Sequence, residues 1–204
     1  MNIERPRTRI QKKNRQAILE AALEVFSTEG FRGATLDQIA QAAGLSKPNL
    51  LYYFPSKETI YTELLSTLLD KWLDPLRALH DTGDPVGDIV DYAMRKLQMS
   101  RDYPRESRLF ANEIVQGAPR IFDQISGPLK DLVDEKSRLM RGWANDGKIA
   151  DVDPHHLIFS IWATTQHYAD FNVQVCAILD SDDGAHMDDA AAFLSTLYTR
   201  LLAP

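Results

Sequence analysis

Across the 204 residues no stretch alternates apolar and polar side chains with period two for long enough to make a strand, whereas apolar residues recur at spacings of three and four. The expected fold is therefore all-α, with apolar stripes buried by packing helix against helix. Punctuation then divides the chain. A first helix over Thr8–Glu29 aligns Ile18, Ala21, Ala22, Val25 and Phe26 and stops at Gly30. Thr35, three residues before Gln38, forms the capping-box pattern for a short helix to Ala43, closed by Gly44. Ser46 caps another short helix with Pro48 in its first turn, and Pro55 closes it. A long fourth helix follows from Lys57 and is expected to end or kink at Pro75. Further helices are predicted near Pro85–Ser100, Arg105–Gln116, Pro119–Asn145 with an interruption at Gly127-Pro128, Pro154–Leu179 and Met187–Leu202, with a loop at Asp180–His186. The spacing predicts a small head over residues 1–54 and a larger helical body over 55–204.

Composition narrows the class without naming a function. Hydrophobic residues at 44% and charged residues at 25% exclude collagen-like and wholly disordered chains. Cys176 is the only cysteine, so no intramolecular disulfide forms. The first residues lack the apolar core of a signal peptide, and no run is long enough to span a membrane, so a reducing cytoplasm is the expected location. Charge is uneven. Nine Lys and Arg against six acids give residues 1–60 a balance of +3, which leaves −9 for the rest of a chain whose net charge is −6. A basic head on an acidic body suits an anionic polymer at one end; a solvated charged arm gives the same arithmetic.

The pair of short helices joined by Ala43-Gly44-Leu45-Ser46 has helix-turn-helix spacing. Ile39, Ala40, Leu45, Leu50 and Leu51 are the residues expected to fill the angle between them. Lys47, Asn49, Tyr52 and Tyr53 then project from the second helix. In this reading Ser46 and Lys47 receive a phosphate oxygen, Asn49 reaches a base edge or phosphate, and the tyrosine hydroxyls reach the sugar-phosphate backbone. Thr35 and Lys57, at two further helix starts, anchor the flanking strand. A plain helical bundle in which Ser46 is only a cap has the same spacing.

The run Ala21-Ala22-Leu23-Glu24-Val25-Phe26, Gly30-Phe31, Thr35-Leu36-Asp37-Gln38-Ile39-Ala40, Ala43-Gly44-Leu45-Ser46-Lys47 and Leu51-Tyr52-Tyr53-Phe54-Pro55-Ser56-Lys57-Glu58 resembles the DNA-binding domain of the TetR family of repressors. That resemblance implies an N-terminal helix-turn-helix DNA-binding domain and a larger ligand-binding and dimerisation domain. It also implies a homodimer on a palindromic double-stranded operator, released by a small ligand.

In the body, Trp162 and Gln166 are i,i+4 neighbours and Trp72 lies on the fourth helix. Two indoles and a carboxamide suit a flat heterocycle with an N–H beside a C=O, where stacking contributes roughly 1–3 kcal/mol per ring; two core tryptophans and a carboxamide bonded to backbone fit the spacing as well. Segments including Trp72-Leu73-Asp74-Pro75-Leu76, Ser100-Arg101-Asp102-Tyr103-Pro104 and Ile161-Trp162-Ala163-Thr164-Thr165-Gln166-His167-Tyr168-Ala169-Asp170-Phe171 are similar to pyrimidine-responsive members of that family. The similarity implies uracil, and to a lesser extent thymine, as effector, with Trp72, Trp162 and Gln166 at the pocket; Asp170 is a further ligand-binding candidate, in a hydrogen-bond network with His167 beside that pocket. From Cys176 onward the likeness lapses.

No cofactor, metal site or catalytic residue is expected. His167 and Asp170 are i,i+3, but no third ligand accompanies them. A rival reading makes that pair the acid and base of a helical nucleobase-binding enzyme. Asn112 and Glu113 are further polar candidates without an assigned direction.

Overall fold

A computed structural model describes residues 9–182 and 184–204, and every regular element among them is helical. The expected first residue Thr8, the basic Arg5 and Arg7, and Asp183 of the expected loop lie outside the described residues. The chain divides into two compact units, residues 1–68 and 69–204.

In the first unit, α1 (Arg9–Gly33) buries Ile18, Leu19, Ala22, Leu23 and Phe26. It kinks at Gly30, whose φ of 68° and ψ of 173° no L side chain adopts cheaply. Thr35 and Gln38 form the expected capping box, Gln38 N donating to Thr35 Oγ1 at 3.2 Å and Thr35 N to Gln38 Oε1 at 2.8 Å. This starts α2 (Leu36–Ala42), which ends as Leu45 N donates back to Ala40 O at 2.9 Å across Gly44, φ +66°. Ser46 then caps α3 (Lys47–Tyr53). Ile39, Ala40, Leu50 and Phe54 fill the angle. Leu51, expected there too, is 38% exposed. A two-turn helix has one inner face; Leu50 and Phe54 hold it, and Leu51 stands about 100° round.

The division between units falls inside α4 (Lys57–Ala78) at Leu68, not at Phe54. The first turns of α4 belong to the head, because Ile60, Leu64 and Leu65 are buried and Tyr61 packs edge-on to Phe26 at 4.8 Å. Pro75 lies within α4 rather than ending it. Near a C-terminus proline removes a single backbone bond, and burial of Leu76 and Leu79 holds the last turn.

In the second unit, α5 (Pro85–Asp102) lies against α9 (Pro154–Asp170) and α11 (Met187–Leu202), burying Ile89, Tyr92, Leu97, Ile158, Ile161, Leu194 and Tyr198. Around this core run α6 (Pro104–Val115), a helical turn α7 (Phe122–Gln124), a π-helical turn at Ile125–Leu129 and α8 (Lys130–Asn145). Gly127-Pro128 falls in the π turn, so the expected interruption widens the helix instead of breaking it. The expected helix over Pro154–Leu179 is two helices, because the chain leaves helical geometry at Phe171 before α10 (Asn172–Leu179). Side chains of α6 take the end of α9: Ser107 Oγ donates to Asp170 Oδ1 at 2.6 Å and Arg108 Nη1 to Ala169 O at 3.3 Å. These bonds hold α6 to α9 where α9 ends.

Candidate DNA-binding head and ligand cavity

On the head, Lys47, Asn49 and Tyr52 are solvent-exposed, Tyr52 at 71%. Lys47 Nζ meets Asp37 Oδ2 at 2.9 Å, an exposed pair that water and salt weaken. Tyr52 Oη accepts from Gln11 Nε2 at 3.3 Å and Tyr53 Oη from Asn14 Nδ2 at 2.9 Å, so α1 braces both phenols of α3. The rings lie edge to face, 5.2 Å apart. Arg15 completes the brace: Nη1 donates to Tyr53 O at 3.0 Å, its guanidinium lies 4.0 Å over Phe54, and Nε donates to Glu63 Oε1 at 2.7 Å. Gln11, Asn14 and Arg15 carried no signal in the sequence, since only the fold brings α1 beside α3.

Two candidates are engaged within the head. Thr35 Oγ1 is engaged in the capping box. Lys57 does not project from the start of α4. Its ammonium donates to Phe31 O at 2.6 Å and Ala34 O at 2.7 Å, 4.7 Å over the Phe31 ring, tying α4 to the end of α1. Ser46 Oγ accepts from Asn49 N at 3.4 Å, a long capping bond.

In the second unit a cavity of about 510 Å³ is lined by Trp72, Lys96, Trp162 and Gln166 from α4, α5 and α9, and by apolar side chains of α6, α7 and the π turn. Three sequence candidates therefore meet on one cavity. Trp162 Nε1 donates to Tyr92 Oη at 2.6 Å, which fixes the ring and leaves its face for a ligand. Trp72 Nε1 is buried with no partner among the described residues, an arrangement that usually costs about 1–3 kcal/mol unless something accepts the N–H. Asp170 is not among the lining residues. Its carboxylate accepts from Ser107, and burial raises its pKa while Arg108, His167 and Lys96 pull it back.

Lys96 was not anticipated. It is buried on α5, its Nζ 3.4 Å from Trp72 O and 5.5 Å from the centre of the Trp72 ring. Burial pushes its pKa down to about 7, against the attraction of Asp170. A lysine within an amphipathic helix reads as surface, so sequence gave no hint. His167 is exposed and stacks on Phe171 at 5.0 Å. Glu113 is buried and bonded to Arg120 N and Nη1, both at 3.0 Å; Asn112 is exposed. Among the described residues no group of three or more His, Cys, Asp and Glu is placed to hold a metal ion, and no helix is long and apolar enough to cross a membrane.

Comparison with known proteins bears on both units. Residues 18–64 match the family model for bacterial regulatory proteins of the tetR family, and residues 65–204 match that for the YcdC-like protein C-terminal region. The chain is 51% identical over 191 residues to the HTH-type transcriptional regulator RutR of Escherichia coli (strain K12), covering 94% of this chain and 88% of that one. Among solved structures, a TetR-like transcriptional regulator from Rhodococcus sp. RHA1 superposes with TM-score 0.67 at 20% identity, over 96% of this chain and 97% of its own. Salmonella enterica GusR superposes with TM-score 0.65 at 20% identity, over 94% and 96%. Helix-turn-helix head, helical body and relatives agree: the chain belongs to the TetR family and is a transcriptional regulator rather than an enzyme.

Proposed function

We propose that this regulator acts in the cytoplasm, binds a palindromic operator as a homodimer, and is released when a pyrimidine, uracil or more weakly thymine, fills the cavity of the body. The observation that supports this most is the meeting of Trp72, Trp162 and Gln166, from helices far apart in sequence, on one cavity. A pyrimidine ring lies against the indole faces. Its adjacent N–H and C=O match the acceptor and donor of the Gln166 carboxamide, and a ring carbonyl takes the unpartnered Trp72 N–H. The 51% identity to RutR supports the same reading.

At the head, Asn49 reads a base edge while Lys47, Tyr52 and Tyr53 hold phosphates, with one remaining N–H of Lys57 for the flanking strand. For the homodimer, α9 to α11 leave Phe159, Phe171, Val173, Ile178, Phe193 and Leu201 exposed, large apolar side chains that a second copy would cover. Both Lys57 and Trp72 lie on α4, about 22 Å apart at 1.5 Å per residue. A ligand against Trp72 thus biases the spacing of the two recognition helices, which must match half-sites about 34 Å apart or a multiple. Ligand shifts that balance tenfold for every 1.4 kcal/mol of preference for the released state.

A mobility-shift titration of an operator fragment tests the proposal. Uracil should release the fragment, and Gln166→Ala should demand far more uracil while binding the operator alone as before. A retarded band that saturating uracil leaves in place overturns it.

A further inference from the structure

The cavity is larger than the ligand its polar groups recognise. Each of the eight ring and carbonyl heavy atoms takes up less than a water molecule, whose share of the liquid is about 30 Å³, so a pyrimidine with its two carbonyl oxygens fills at most roughly 240 Å³, less than half of the 510 Å³ present. The polar equipment sits on α4, α5 and α9: the Trp72 N–H, the Lys96 ammonium and the Gln166 carboxamide. The wall that α6, α7 and the π turn contribute, Phe110, Ile114, Val115, Phe122, Ile125 and Leu129, offers no side-chain donor or acceptor.

That wall is incompletely covered. Val115 is 86% exposed and Phe122 59% exposed, large apolar side chains beside a cavity rather than folded into the core. They are firmly carried nonetheless. Buried Glu113 accepts from Arg120 N and Nη1, closing the loop between α6 and α7, and Ala118 within that loop is buried at φ 52°, a left-handed conformation the surroundings must enforce. A braced apolar wall facing empty volume is built to cover apolar surface brought by a ligand.

We propose that the cavity has two compartments, a polar one for the ring and an apolar one for a substituent, and that the regulator binds pyrimidines carrying an alkyl or aryl group of several carbons more tightly than the bare ring. The inference rests on the pyrimidine reading of Trp72, Trp162 and Gln166. The ring docks first by hydrogen bonds, and the substituent extends over Ile114, Phe122 and Ile125. Each methylene buried there tightens binding about fourfold, the equivalent of about 0.8 kcal/mol.

Calorimetric titration of the full-length protein with uracil, thymine, and the 5-butyl, 5-hexyl, 6-butyl and 6-hexyl uracils tests this. Thymine, the one-carbon member of the 5-series, should bind more weakly than uracil, and from butyl to hexyl the dissociation constant should fall in at least one of the two series. Phe122→Ser and Ile114→Asn, at partly exposed positions that carry little of the core, should flatten that dependence. If uracil binds and both series are flat or weaken with length, the apolar compartment is refuted and the pyrimidine reading stands. If no pyrimidine binds, both fall together.

Discussion

Lys96→Met gives the sharpest test of how the body is held together. The lysine stem already runs through apolar surroundings, and methionine fills nearly the same volume without the charge. Burial lowers the pKa of the ammonium from the ordinary 10.5 to about 7. At about 1.4 kcal/mol for each pH unit, keeping that group in the folded chain costs roughly 5 kcal/mol wherever the unfolded lysine is protonated and the folded one must be too. Between pH 7 and 10.5 the unfolded chain binds more protons than the folded one, so the cost is fully present below 7 and fades as pH rises to 10.5. Asp170 returns part of it, since Lys96 attracts that half-buried carboxylate and its loss drives the carboxylate pKa higher still. Replacing a buried ionic group by a well-packed apolar one stabilises by about 1–4 kcal/mol, and that is the gain expected near pH 6. Urea denaturation of both proteins near pH 6, 8 and 10, at one fixed protein concentration and without ligand, reads the difference directly. The gain should shrink steadily with rising pH. A gain equal at all three pH values, or a loss near pH 6, would refute the argument that burial governs Lys96.

Gly44→Ala should destabilise the head by about 1–2 kcal/mol in thermal unfolding, purely from the left-handed backbone, because an added Cβ meets nothing within 4 Å; Gly44→Asn should restore part of the loss. Leu50→Ala opens a cavity where α2 and α3 meet and should cost about 2–5 kcal/mol while also weakening operator binding in a gel shift. Tyr92→Phe removes the acceptor of the Trp162 N–H and should lower stability by about 1–3 kcal/mol in urea, with a change in tryptophan fluorescence marking the freed ring. Phe193→Asp, on the open face of α11, should convert the proposed dimer to a monomer in sedimentation; an unchanged mass would remove that face from the interface.

Short-range chemistry made much of the head readable from sequence. Thr35, Gly44 and Ser46 act within three or four residues of themselves, through backbone conformation and capping, so α2 and α3 start and stop where those residues predict. Gly30, the expected end of α1, kinks the helix, which runs on to Gly33. The all-α architecture was legible because period and burial are linked along each helix. Trp162 and Gln166 could be paired as i,i+4 neighbours for the same reason, and resemblance joined Trp72 to them.

What tertiary structure decided depends on groups far apart in sequence. The break at Phe171 falls where Ser107 and Arg108 of α6 meet the end of α9, and no local residue announces it. Lys57 turned inward because the carbonyls of Phe31 and Ala34 lie within reach only once α4 packs on α1. Lys96 became a cavity residue, and Asp170 a carboxylate behind it, because burial and neighbouring charge exist only after α4, α5, α6 and α9 close together. Periodicity tells which face of a helix is apolar; it cannot say which other helix covers that face, or what volume remains between them.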